Sequence, residues 1–163
     1  MSSNVLHAPR TPATRWRGLA GFAVAVTAAA LIGVLGVTGT TDEYQNLNQP
    51  SWAPPSWLFG PVWTVLYAMI AVAGWLVWRQ TGWTSALTVY AVQLALNAAW
   101  TPIFFGFGRY ALALVDIVLM WLLIGATVLL FRPVSRLASA LLLPYWAWVT
   151  FATALNAAIW KLN

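Results

Sequence analysis

The residues in this sequence that are able to do chemistry are amides, indoles and phenols, and they recur at helical spacing. Gln93, Asn97 and Thr101 stand at i, i+4 and i+8, which places all three on one face of a helix. Trp63, Tyr67 and Gly74 make a similar stripe, and Tyr145, Trp148, Ala152 and Asn156 follow one another at three- and four-residue steps. Asp116 stands alone in an apolar run. Aromatic faces stack on flat rings, and carboxamides hydrogen-bond to polar edges, so this set suits a flat, largely apolar ligand. A plainer reading stands beside it. Gln93, Asn97 and Asn156 can act as interhelical bonds, at ~0.6–2 kcal/mol each. Asp116 reads as a hydrogen-bond partner of a neighbouring helix more readily than as a proton carrier.

Catalysis finds little support. The chain has no cysteine, so disulfides, thiolate nucleophiles, thiolate metal sites and redox motifs are excluded. Its single histidine, His7, lies in a polar N-terminal tail. There is no nucleophile–base pair, no pair of carboxylates and no metal cluster, so no metal site is expected. A retinal Schiff base needs a lysine within a helix, and Lys161 stands at the extreme C-terminus.

The elements that position these residues follow from composition. Of 163 residues, 61% are hydrophobic and 7% charged, against ~25% charged in an ordinary soluble domain. Apolar runs cover 18–37, 57–78 (starting at Trp57 or Phe59), 84–107, 110–131 and 137–160, each long enough to span a bilayer at ~20 residues. The first run could be read as a signal peptide, but it exceeds the ~7–15 residues of a cleavable apolar region and reads as a retained helix. Period-2 alternation is absent, which argues against a β-barrel. The expected fold is an all-α membrane protein, a five-transmembrane-helix bundle over 18–163, behind a polar, disordered tail over 1–17. Short connections predict an up-down order in which the second to fifth helices are antiparallel neighbours. No internal repeat is visible, which speaks against an inverted-repeat transporter.

Orientation follows from the basic residues. Arg10, Arg15, Arg17, Arg79, Arg132 and Arg136 fall on one side, and only Arg109 and Lys161 on the other, with Asp42 and Glu43. The positive-inside bias puts the N-terminus in the cytoplasm and the loop 38–56 outside. Trp63, Asn97, Thr101, Asp116 and Asn156 then share the outer half of the bilayer, beneath a loop stiffened by Pro50, Pro54 and Pro55. Gln93 and Trp148 lie near the midplane. Trp16, Trp57, Trp78, Trp83 and Trp160 read as interfacial anchors. Ala25, Ala29 and Gly33 form a small-residue ladder on the first helix that permits close helix approach, within one protomer or between two.

Four runs of residues make the pattern specific. One passes from Tyr44 through Pro50, Trp52, Pro54, Pro55, Trp57, Phe59, Pro61 and Trp63-Thr64 to Tyr67. The others are Asn97 through Trp100-Thr101-Pro102 to Phe104-Phe105-Gly106, then Leu114-Val115-Asp116, then Pro144-Tyr145 through Trp148 and Ala152 to Asn156. Over the whole chain except the tail, the sequence resembles the TspO/MBR family, which includes the translocator proteins (peripheral-type benzodiazepine receptors) and tryptophan-rich sensory proteins. The resemblance implies a five-helix, frequently homodimeric bundle with a tetrapyrrole pocket closed by the first loop. Carried over by motif, the ligand-binding residues are Tyr44, Trp52, Trp63, Tyr67, Gln93, Asn97, Trp148 and Ala152. The implied ligands are porphyrin or haem, with sterols and drug-like aromatic molecules in animal members, and no cofactor is required. The implied role is sensing, transport or regulation of porphyrins, and the enzymatic alternative is light-dependent porphyrin breakdown through Trp63 or Trp148. The sterol motif of the animal proteins needs a tyrosine, and 155–161 has none. The membrane is expected to be the bacterial cytoplasmic one, or by family resemblance the outer membrane.

Overall fold

The computed structural model describes residues 12–37, 44 and 46–163, so His7, Arg10 and the acidic pair Asp42 and Glu43 lie outside the described residues. Helices α1 (Pro12–Val37), α2 (Phe59–Thr81), α3 (Ser85–Thr101), α4 (Tyr110–Phe131), α5 (Arg136–Leu141) and α6 (Leu143–Leu162) make the fold, with no strand among the described residues. Five segments are long and apolar enough to cross a membrane, the fifth formed by α5 and α6 together.

The second helix runs on to Thr81, past its expected end at Trp78, and three further departures from the sequence reading fall at or beside prolines. The first helix starts at Pro12, ahead of the apolar run, so residues 12–17 are helical and not part of a disordered tail. Proline suits a first turn, where its fixed φ is already helical and its missing N–H would have had no partner. The third span is not one continuous α-helix. Pro102 has no N–H to give, and Pro102–Gly106 widens into a π turn in which Phe107 N–H reaches Pro102 C=O at 3.0 Å. The fifth span breaks at Leu142, just ahead of Pro144.

Around the bundle, α1 lies against both α2 and α3, α3 against α4, α4 against α6, and α5 against α2. The expectation that α2 and α3 are close neighbours therefore needs correction: they meet less closely than other consecutive pairs, and α1 wedges beside both. Phe22 of α1 explains this. A Cβ on Gly74 of α2 would stand 2.7 Å from the Phe22 ring and 2.8 Å from Tyr90 of α3, so the missing side chain makes room for the wedge. Phe22 meets the Tyr90 ring edge-on at 5.9 Å, and the Tyr90 hydroxyl donates to the Ile70 carbonyl of α2 at 3.0 Å. Lipid tails are as apolar as leucine, so such close packing and interhelical bonds hold the bundle rather than water exclusion. Only 17% of the α1 span is buried, against 33–44% for the others, which makes it the peripheral helix.

Trp16, Trp57, Trp83 and Trp160 are exposed, as anchors require, whereas Trp78 is half-buried against Phe22 and Gly18 and packs the bundle instead. Of the small-residue ladder, Ala29 and Gly33 are buried and Ala25 is exposed. Gly33 faces Thr101 of α3, so that part of the ladder serves packing within the protomer.

Candidate functional site

At the loop end of the bundle, a cavity of about 520 Å³ opens among α1, α2, the end of α3 and α6. Its walls are Ala30, Gly33 and Val34 of α1; Phe59, Gly60, Trp63, Thr64 and Tyr67 of α2; Trp100 and Thr101 of α3; and Ala152, Leu155, Asn156 and Ile159 of α6. Phe104 and Phe105 come from the π turn, and Tyr44 and Ser56 from the loop. The volume lies within the ~300–1,000 Å³ usual for small-molecule sites. A smaller cavity of about 20 Å³ lies deeper, between Asn97, Met120, Trp148 and Ala152, with Trp63 and Tyr67 bordering both.

Seven of the eighteen wall residues are aromatic, and their rings brace one another. Trp63 stacks on Tyr67 at 5.3 Å and 30°, and Trp100 stacks on Phe104 at 5.0 Å and 28°. Offset stacking of this kind fixes ring planes and contributes ~0.5–1.5 kcal/mol per pair beyond burial. The π turn matters here: it turns Phe104 and Phe105 edge-to-face at 4.7 Å and brings both to the cavity.

The amides answer first to the protein. Tyr67 Oη donates to Asn97 Oδ1 at 2.8 Å, and Asn97 Nδ2 donates to Tyr145 Oη at 3.1 Å. Tyr145 in turn donates to Gln93 Oε1 at 2.8 Å. Nearer the cavity mouth, Trp100 Nε1 donates to Asn156 Oδ1 at 3.1 Å, and Asn156 Nδ2 donates to the Tyr110 carbonyl at 2.9 Å. These chains tie α2, α3, α4 and α6 together. The indole N–H of Trp148 and the Nε2 of Gln93 are buried with no partner.

The loop closes one side of the cavity. Tyr44 is buried there, its hydroxyl donating to the Pro54 carbonyl at 3.2 Å, its ring edge-on to Phe59 at 5.5 Å. Burial raises the Tyr44 phenol pKa above its usual value. The Gln49 side-chain amide donates to the Tyr44 carbonyl. Asn48 and Asn163 bind reciprocally, Asn48 N–H to Asn163 Oδ1 and Asn163 Nδ2 to the Asn48 carbonyl, each at 3.1 Å.

Of the residues proposed from sequence, Tyr44, Trp63, Tyr67 and Ala152 line the large cavity, and Asn97 and Trp148 border the small one. Trp52 stands outside both, half exposed, with its ring edge-on to Phe151 at 5.8 Å. Gln93 stands behind Tyr145, out of reach of either wall. The expected interhelical bond of Asp116 is not made by its Oδ2, which is buried without a partner on the inward side of α4. Sequence reasoning passed over Phe59, Phe104, Phe105, Leu155, Ile159 and the α1 residues. The Pro-x-Phe-Phe-Gly run carried a signal for two of them; on α1, Gly33 was marked only as a packing residue, and Ala30 and Val34 carried no signal.

Five membrane-spanning helices around an aromatic-walled cavity, capped by a proline-rich loop, define an integral, multi-pass membrane protein with an internal chamber near one membrane face. The chain belongs to the TspO/MBR family, whose profile matches residues 21–161. It is similar to the human translocator protein, at 40% identity over 154 residues covering 91% of each chain. It is also similar to the tryptophan-rich sensory protein of Cereibacter sphaeroides, at 42% over 87% of this chain and 92% of that one. Protein CrtK of Rhodobacter capsulatus is 40% identical over 87% of this chain and 92% of its own.

Proposed function

We propose that this protein binds a tetrapyrrole, a porphyrin or haem, in the large cavity, and acts in its sensing, transport or regulation. The observation that carries the reading is the cavity itself: about 520 Å³, walled in part by stacked indole and phenyl rings, with its one lining amide, Asn156, already engaged by Trp100 and the Tyr110 carbonyl. A flat macrocycle gains from stacking and apolar contact there, and few polar groups of the wall are left to reward a small polar solute. Orientation belongs to the same reading, with the N-terminus cytoplasmic and the loop outside, on the six-to-two basic count in the sequence. The test is equilibrium titration of purified protein with protoporphyrin IX, read by tryptophan fluorescence. Saturable quenching is expected, and quenching that rises without saturation refutes a defined site.

A second reading, light-dependent breakdown of the bound ring, has one observation in its favour: Trp63 and Trp148 both border the deep cavity. Illuminating the complex in oxygen should then give new absorbing products that vanish with Trp63→Phe. Unchanged porphyrin spectra under illumination rule it out.

A further inference from the structure

Among the described residues, the cavity has an opening between α1 and α2. Away from the loop, α1 lies against α2: Phe22 stands 6.3 Å from the Trp78 ring and fills the space left by Gly74. Toward the loop, α1 leans the other way, onto α3 and the π turn, where a Cβ on Gly33 would stand 3.4 Å from Thr101 Oγ1. The two helices therefore diverge toward the loop end, and the cavity occupies the wedge between them.

The exposure of its wall residues shows where the wedge opens. Val34 of α1 lines the cavity and is yet 59% exposed, and Gly60 and Thr64 of α2 are likewise both lining and exposed. All three lie within segments long and apolar enough to cross a membrane, Val34 and Gly60 near the loop ends of theirs, which sets the opening on the lipid-facing side close to that membrane face. Its edge suits that setting. The Thr64 hydroxyl is engaged with the Gly60 carbonyl at 2.9 Å, which leaves valine, glycine and a methyl group toward the hydrocarbon. The loop side, by contrast, is fastened through Tyr44 to Pro54 and through Asn48 to Asn163.

We infer that the gap between α1 and α2 is a lateral portal, through which a flat apolar ligand dissolved in the bilayer reaches the cavity with the loop in place. The inference rests on the ligand-binding reading above and adds the ligand's route. Gly60 is the residue that keeps the portal wide: a Cβ there meets nothing within 4 Å, so a larger side chain projects into open space. Its first side-chain atom meets no neighbour, and leucine is the better helix former.

The experiment follows protoporphyrin IX uptake by stopped-flow tryptophan quenching, with the whole chain in liposomes. Gly60→Leu should lower the association rate about tenfold, the effect of one decade in rate from a narrowed path. Gly21→Leu makes the same change at an exposed glycine of α1, remote from the cavity and also with nothing within 4 Å, and should leave the rate unchanged. In a second arm, Asn48→Cys and Asn163→Cys, joined by a short bismaleimide, fasten the loop covalently to the residue that follows α6. That protein should take up porphyrin at the wild-type rate. An unchanged association rate in Gly60→Leu overturns the portal, and so does loss of affinity at an unchanged association rate, which would mean only that the added side chain occupies ligand space. Uptake abolished by the cross-link overturns it too, because the loop would then have to lift. Absence of saturable quenching in the wild type refutes the ligand site, and the portal with it; normal wild-type binding with any of the other refuting results removes the portal alone.

Discussion

Replacing Asn97 by leucine keeps the approximate size of the side chain while removing two interhelical bonds, from Tyr67 at 2.8 Å and to Tyr145 at 3.1 Å. Hydrogen bonds between membrane helices contribute ~0.6 kcal/mol on average and ~1.7 at most, so the pair is worth ~1–3 kcal/mol. The loss is uneven. Tyr145 keeps Gln93 as its acceptor, whereas the Tyr67 hydroxyl is left with none. At ~2–4 °C per kcal/mol for a chain of this size, the apparent melting temperature in detergent should fall by ~3–10 °C. Tyr67→Phe in the same background should recover part of that, because it deletes the stranded hydroxyl, and the two changes should couple by ~0.6–1.7 kcal/mol. Porphyrin affinity should move less than threefold (~0.65 kcal/mol), since Asn97 borders only the deep cavity and both its polar atoms already serve the protein. Strictly additive melting shifts, or an affinity loss far larger than the stability loss, would refute this reasoning and make Asn97 a ligand contact.

Trp63→Ala removes a stacked ring from the large cavity and should weaken porphyrin binding by ~1–3 kcal/mol, or ~5–150-fold, in the quenching titration. Ala152→Leu should also weaken it by filling the junction of the two cavities, while Trp16→Phe, exposed at the far end of α1, should leave it unchanged. Gly74→Ala puts a methyl group 2.7 Å from Phe22 and should destabilise the bundle by ~1–3 kcal/mol in detergent melts, whereas Gly21→Ala should be neutral or stabilising. The raised Tyr44 phenol makes the seating of the loop pH-dependent in a defined direction. Its contribution is fully present below ~pH 10 and is lost as pH rises further, so Tyr44→Phe should flatten that part of an alkaline stability profile. Single cysteines at Ser3 and Gln45 in this cysteine-free chain should label from opposite sides of intact cells, and labelling from one side would refute the orientation.

The sequence by itself determined the five spans, because a stretch of ~20 apolar residues has only one favourable state in a bilayer, a helix with every backbone group bonded. It also determined that polar residues on separate helices converge, since Gln93, Asn97, Tyr145 and Asn156 cannot face lipid cheaply; all four are buried, and the bonds of Asn97, Tyr145 and Asn156 run between helices. What it left open was which partner each would choose. Asn97 joins Tyr67 to Tyr145, Asn156 joins Trp100 to the Tyr110 carbonyl, Gln93 retreats behind Tyr145, and the Asp116 Oδ2 finds no partner, because those outcomes depend on how helices rotate against one another. The placing of α1 was equally hidden. Its run of small and aliphatic residues carries no polar mark, and a short α2–α3 connection suggested direct contact between those helices. Only packing decided that Phe22 would enter the space beside Gly74 and that the far end of α1 would lean toward Thr101. The divergence of α1 from α2, and with it the cavity and its opening, is a consequence of ring shape and glycine placement on three different helices, which no single stretch of sequence contains.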